Sequence, residues 1–366
     1  MRVGMPLKYS GGFTETVADL RDFEAAGLDL VMLPEAYSFD SVSQLGYLAA
    51  RTSTVLLATS ILNVYSRTPA LLAMTAAGLD YVSDGRFVLG LGASGPQVVE
   101  GFHGVRYDAP LGRTREVVEI CRAVWRREPL RYEGRHYHLP LDAAHGGSGL
   151  GKPLKLINHP VRSAVPIVLA ALGPRNVELA AEIGDGWEPI FYFPEAAPAA
   201  FGAALAAGRA RRPSTLGPLD IVVPTQLLIS EDAVEIETAV QAVREHLALY
   251  VGGMGARGRN FYNELAGRYG FAAAAAEVQD HYLAGRKAQA AAAVPERLVR
   301  GVSLIGPPGY VRERVAAFAE SGVTTLNGLP LAGTHRGRLA DVERLKEYAS
   351  ASLPGTYRDR YNELTN

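Results

Sequence analysis

Two hydrophobic rhythms alternate along this chain. Phe13, Val17, Leu20 and Phe23 mark an amphipathic helical stripe that closes at Gly27, and the run Leu28 to Leu33 then reads as a short strand. The same order recurs. Tyr81 to Asp84 ends at Gly85 before Phe87, Glu178 to Ile183 ends at Gly184 before Trp187 to Tyr192, and Arg312 to Ser321 ends at Gly322 before Val323 to Leu329. Glycine suits each junction because helices commonly end in a left-handed conformation that side-chain-bearing residues resist. With Arg2 to Leu7, Val55 to Ile61, Pro166 to Leu172 and Asp220 to Ile229 added, about eight strands alternate with helices. These strands are continuous apolar runs, which fits parallel strands buried on both faces. The pattern predicts an α/β fold, a TIM (β/α)8 barrel spanning residues 1–366 as one domain.

Two excursions exceed ordinary connection lengths, so the barrel should carry insertions after its fourth and seventh strands. The first, about 130–165, contains a hairpin at Tyr132-Glu133-Gly134-Arg135 and a flexible stretch from Gly146 to Gly151. The second, about 252–300, is alanine-rich with helical spacing through Phe271 to Leu283 and Lys287 to Leu298. Such an insertion cannot bury its apolar face alone. It should cover part of the barrel mouth or build a subunit contact.

The run Arg86 to Pro96 contains the spacing Gly90-x-Gly92-x-x-Gly95, but its context argues against a dinucleotide fold. A dinucleotide fingerprint needs a long helix opening on the third glycine and an acidic residue at the end of the next strand. Here Pro96 and Gly101 follow, and the acids at the right distance, Glu116 and Glu119, lie inside the helical pattern Arg115 to Trp125. What remains is a buried strand, Phe87 to Gly92, and a small-residue loop over which a ligand can lie close to the backbone.

Composition narrows the ligand. With 37 Lys plus Arg against 38 Asp plus Glu, the net charge of -1 offers no basic excess for nucleic acid or a membrane surface. The arginines 209, 211 and 212 read as the solvated end of a helix. No signal-like or membrane-length apolar run is present, so a cytoplasmic protein acting on a small molecule is expected. Cys121, the only cysteine, follows helical spacing with Val117 and Val124 and reads as a core residue.

Barrel active sites lie at the C-terminal ends of the strands. That rim reads Lys8 and Tyr9; Pro34, Glu35, Ala36 and Tyr37; Ser60 to Asn63; Gly92 to Gln97; and Gly173 to Asn176. It is rich in small residues and poor in acids and bases, with no Schiff-base lysine, paired carboxylates or Ser-His-Asp set. Such a rim suits a flat ligand against backbone, with the chemistry carried by a cofactor. Gly173-Pro174-Arg175-Asn176 opens a helix directly after a strand, which reads either as a phosphate site or as an ordinary helix start with a surface arginine. His136-Tyr137-His138 has a metal-like spacing but lies off the rim with no carboxylate cluster, so no metal site is expected.

At these residues the sequence resembles the bacterial luciferase-like superfamily, specifically its coenzyme F420-dependent oxidoreductases. The likeness is carried by Leu57 to Ala70, by Asp84 to Gly92, by Leu172 to Asn176 with Asp185-Gly186-Trp187, and by Tyr250 to Gly255 with Phe261-Tyr262-Asn263. The resemblance implies a TIM barrel with a non-prolyl cis peptide in a bulge ending the third strand, at Ser60-Ile61, backing the ring of the cofactor. It further implies that Asn63, the Ala93-Ser94-Gly95 loop and the Gly173, Pro174, Arg175, Asn176 helix start bind F420, the last through its phosphate. A homodimer or higher homo-oligomer is also expected, since homodimers are common among these relatives.

Relatives acting on sugar phosphates or simple alcohols place an Asp-His or similar pair after the second strand, where this chain has Glu35-Ala36-Tyr37. Reduction of an activated C=C, C=N or C=O bond by hydride from the deazaflavin is therefore the expected reaction. Glu35 or Tyr37 would act as proton donor or fix a loop, with Tyr9, His103 and Glu188 as secondary candidates. Three rivals stand beside this reading: a monooxygenase using reduced FMN and oxygen, a flavin-free barrel lyase or isomerase, and a binding-only protein.

Overall fold

The structure, a computed structural model, describes residues 1–7 and 12–351. Its strands are β1 (Arg2–Pro6), β2 (Leu30–Leu33), β3 (Leu56–Thr59), β4 (Leu62–Asn63), β5 (Phe87–Gly92), β6 (Tyr132–Glu133), β7 (His138–Leu139), β8 (Ile167–Ala170), β9 (Gly186–Glu188), β10 (Asp220–Ile229), β11 (Leu304–Gly306) and β12 (Thr325–Pro330). Eight of them, in the order β1-β2-β3-β5-β8-β9-β10-β12, pair in parallel and close on β1 as a TIM barrel. The short β11 extends the C-terminal end of β10, with Leu227 opposite Leu304.

Local signals place the helices. Thr68 caps helix Pro69–Val82 by accepting from the Leu71 N–H, with Pro69 in the first turn. Gly85 and Gly322 follow their helices at φ 79° and 94°, as the helix-glycine-strand order requires. Gly184 differs. Its φ is −79°, and glycine is needed there for space, because a Cβ would lie 2.8 Å from the carbonyl oxygens of Ala180 and Gly186.

Side chains that alternate into the lumen form one core, Leu30, Met32, Ala58, Val88, Val168 and Val222, separate from the larger core between barrel and helices. The N-terminal end of the lumen is closed by a polar network in which Arg2 pairs with Asp220 and donates to Thr325 Oγ1 at 3.1 Å. With that end filled, ligand access is left to the C-terminal mouth.

Three expectations are corrected. The sixth barrel strand was expected to run from Trp187 to Tyr192, but it stops at Glu188, because Pro189 has no N–H to offer a ladder. The third, expected over Val55 to Ile61, splits into β3 and β4 around Ser60-Ile61. The helical stretch from Lys287 to Leu298 breaks into Lys287–Ala292 and Glu296–Gly301 around Pro295.

The first insertion contains the hairpin β6–β7. Glu116, inside helix Pro110–Trp125, anchors it by accepting the N–H groups of Arg135, His136 and Tyr137 at 2.9, 3.0 and 3.0 Å. Cys121 of the same helix is buried in the core, which pushes its thiol up to about 12. The second insertion is helical and sits on the loop after β9. The Phe191 ring packs edge-on against Tyr250 at 5.3 Å, and the Tyr269 hydroxyl donates to the Phe191 carbonyl at 3.0 Å. Arg268 reaches further, donating to the carbonyls of Leu172 at 2.7 Å and Ala200 at 3.0 Å while stacking over Phe201. No helix among the described residues is long and apolar enough to cross a membrane.

Candidate active site at the barrel mouth

The mouth is built around the break between β3 and β4. The Ser60-Ile61 peptide is cis, as the sequence resemblance implied, and the chain then rejoins the sheet by pairing Leu62 with Leu91 and Asn63 with Gly92. Small residues on β5 make room for the bulge. A Cβ on Gly90 would collide with the Thr59 carbonyl oxygen, and one on Gly92 would lie 3.0 Å from the Ile61 side chain.

Asn63 is 4% exposed and its amide is only half satisfied. Oδ1 accepts from the Tyr65 N–H at 2.9 Å, whereas Nδ2 has no partner among the described residues. A buried donor without an acceptor costs free energy unless something else supplies one, so Asn63 is poised to donate to a bound group. Glu188 shows the complementary defect. Its Oε1 accepts from the Ser60 hydroxyl at 2.6 Å across the lumen, and Oε2 is buried without a partner among the described residues. Burial raises this carboxyl to about 7, opposed only by the Ser60 hydrogen bond.

On the adjoining rim, helix Pro174–Ile183 begins at Gly173, with Pro174 in its first turn. No atom lies within 4 Å of where a Gly173 Cβ would be, Arg175 is exposed, and no ion pair holds Arg175 among the described residues. The loop after β5 places Ala93 and Gly95 half-buried beside an exposed Ser94, whose φ is 55°. Ser60, Ile61, Asn63 and the Ala93-Ser94-Gly95 loop thus converge at the ends of β3 to β5, with the Gly173 to Asn176 helix start two strands away from β3.

Glu35 and Tyr37 occupy different environments. Arg67 grips Glu35 at 2.5 and 3.0 Å, and Ser41 donates both its N–H and its hydroxyl to Glu35 Oε2 at 2.9 and 3.2 Å. Tyr37 is 66% exposed, with its ring 6.3 Å from that of exposed Phe102, and Phe39 on the same loop is exposed as well. Lys8 and Tyr9 lie outside the described residues. His136 and His138 have different neighbours: the His136 ring lies against Gly112, and His138 stacks on His145 at 3.6 Å.

A model of the luciferase-like monooxygenase family matches residues 1–325. The chain belongs to that family. A protein of Mycobacterium tuberculosis, provisionally named a coenzyme F420-dependent oxidoreductase, is 42% identical over 334 residues, 89% of this chain and 94% of its own length. The 5,10-methylenetetrahydromethanopterin reductase of Archaeoglobus fulgidus is 34% identical over 165 residues, 44% of this chain and 45% of the reductase. Among solved structures, the coenzyme F420-dependent tetrahydromethanopterin reductase of Methanopyrus kandleri aligns over 96% of this chain and 99% of its own, with a TM-score of 0.76 at 21% identity, which shows the shared fold.

Two features of this luciferase-like barrel were faint in the sequence. Glu188 ranked low because the strand was extended past it, although the dipeptide Glu188-Pro189 marks the strand end. Arg67 lies within the Leu57 to Ala70 segment but was given no role there, since its partner Glu35 is 32 residues away.

Proposed function

We propose that this protein is a coenzyme F420-dependent oxidoreductase that reduces an activated C=C, C=N or C=O bond of a small, largely apolar molecule. The observation that carries this is the orphan amide donor of Asn63 beside the Ser60-Ile61 bulge, in a mouth otherwise poor in acid and base groups. The likeness to F420-dependent relatives supports the same reading.

In this reading Ser60, Ile61 and the backbone of Gly92 to Gly95 seat the ring, Asn63 Nδ2 donates to one of its polar atoms, and the helix start at Gly173 to Asn176 takes the phosphate. The bound deazaflavin supplies a hydride. The chain positions the substrate and excludes water, with the helical second insertion as one wall and Tyr37, Phe39 and Phe102 as another. The exposed aromatic side suits an apolar or aromatic substrate better than a sugar phosphate. Tyr37 is available as a proton donor, whereas Glu35 is committed to Arg67 and Ser41 and serves as a positioning residue.

Helix Pro69–Val82 supports a homodimer. Its one acidic residue, Asp80, is buried and paired with Arg162, while Leu71, Met74, Tyr81 and Val82 face outward. A helix apolar on both sides calls for a covering surface, and a second copy of the same face is the simplest one. A cytoplasmic location follows from the same reading, because such a reductase draws on a soluble cofactor.

Titration of the purified protein with F420 and with FMN tests the cofactor. Tight binding of F420 and anaerobic oxidation of reduced F420 by an activated alkene are expected. Preference for FMN with oxygen-dependent turnover would favour the monooxygenase reading instead.

A further inference from the structure

The bond from Ser60 to Glu188 joins the ends of two strands that are not neighbours in the barrel, β3 and β9. It spans the lumen directly beneath the bulge. Nothing in the fold needs a carboxyl at this point, since one accepting oxygen would satisfy Ser60, yet a second oxygen is buried here without a donor.

The charged groups on the elements around β9 do not compensate it. Asp220, on β10 opposite Gly186, is taken up by Arg2 and the Thr325 hydroxyl. Asp185 is paired with Arg122 and accepts from the Ile167 N–H. On helix Pro174–Ile183, Glu178 and Glu182 pair with Arg211, and Arg175 is exposed. β8 contributes only apolar residues, and β3 contributes none with charge. Among the described residues, no cation reaches Glu188.

We propose that Glu188 is the proton-carrying positioning residue of the cofactor seat, so that the seat takes up an anionic deazaflavin together with a proton held on Glu188. This rests on the reading that the ring lies against Ser60-Ile61. With the proton on Oε2, the carboxyl is neutral, Oε1 fixes the Ser60 hydroxyl and hence the floor of the bulge, and no charge opposes the ring. Without it, an unpaired carboxylate sits in a low-dielectric lumen beside a negatively charged ligand, where like charges repel strongly. Its raised proton affinity, set by burial, brings this exchange near neutral pH.

The test is the dissociation constant of F420, read by fluorescence quenching from pH 6 to 9 without turnover, in the native protein and in Glu188→Gln. The glutamine keeps an acceptor for Ser60 and cannot ionise, so it also cancels the cofactor's own titration from the comparison. The native constant should rise relative to that of Glu188→Gln above pH 7, by up to about tenfold per pH unit. A ratio that stays constant across the range overturns the proposal and leaves the cofactor reading intact; absence of F420 binding at every pH overturns both. If Glu188→Gln does not fold, Ser60→Ala serves, because removing the hydrogen bond that favours the carboxylate must move the pH of weakening upward. An unchanged break point in Ser60→Ala overturns the proposal.

Discussion

Arg67 holds the Glu35 carboxylate with both terminal guanidinium nitrogens, at 2.5 and 3.0 Å, and this pair ties the loop after β2 to the start of helix Pro69–Val82. Both side chains are mostly buried, so removing one partner strands the other. Arg67→Ala is expected to cost about 3 to 5 kcal/mol of stability, and Glu35→Gln less, since the amide oxygen still accepts from Ser41. Denaturant unfolding measures both. If Glu35→Gln abolishes turnover with unchanged stability and cofactor affinity, Glu35 is a proton donor and not a loop anchor.

Asn63→Asp keeps an acceptor for the Tyr65 N–H and deletes only the orphan donor. Loss of that donor, with a carboxylate in its place, should weaken F420 binding by about tenfold to a hundredfold. Unaltered affinity would place the ring's polar edge elsewhere on the rim.

Arg175 stands exposed beside the N–H groups that open helix Pro174–Ile183. A charge-assisted hydrogen bond to phosphate contributes on the order of 1.5 to 3 kcal/mol, so Arg175→Ala should raise the dissociation constant about tenfold to a hundredfold. The control is a cofactor analogue lacking the phosphate. Equal weakening of analogue and intact cofactor would show that Arg175 does not bind the phosphate.

Met74 lies at the centre of the outward apolar stripe of its helix. Met74→Glu should convert a sedimenting dimer to monomer at micromolar concentration, because an ionised carboxylate buried twice in a symmetric interface has no partner. A native protein that sediments as a monomer would remove the dimer from the proposed function.

Stability should decline with rising pH. Burial raises both Glu188 and Asp341 to about 7 in the folded chain, above their unfolded values. The native state therefore binds more protons than the unfolded state between roughly pH 4 and 7, and stability falls as pH rises through that window. Asp341→Asn keeps the hydrogen bond from the Ile229 N–H and should recover roughly 2 to 4 kcal/mol at pH 8, with almost no gain at pH 4. Melting temperatures at the two pH values read the difference directly.

The barrel was legible in the sequence because each strand is a continuous apolar run bounded by a helix stop, and both signals are local. Ser60, Ile61 and Asn63 were legible for a related reason, as they occupy the rim end of such a run. Glu188 entered only as a secondary candidate and Arg67 was given no role, because their meaning lies in partners 128 and 32 residues away. Burial of the Glu188 carboxyl follows from lumen closure, which no short window of sequence encodes.

Arg268 couples the second insertion to the backbone just beyond the C-terminal end of β8. Surface segments at barrel mouths are where substrate preference is altered with least harm to the scaffold, but here the second insertion supplies the guanidinium that holds the Leu172 carbonyl, one residue before the Gly173 cap of the helix proposed to take the phosphate. If that helix start takes the phosphate, exchange of the insertion for another sequence would alter two properties at once. A lineage adapting to a new substrate through this insertion would then have to retain the arginine, so variation should concentrate on residues that touch neither Leu172 nor Ala200.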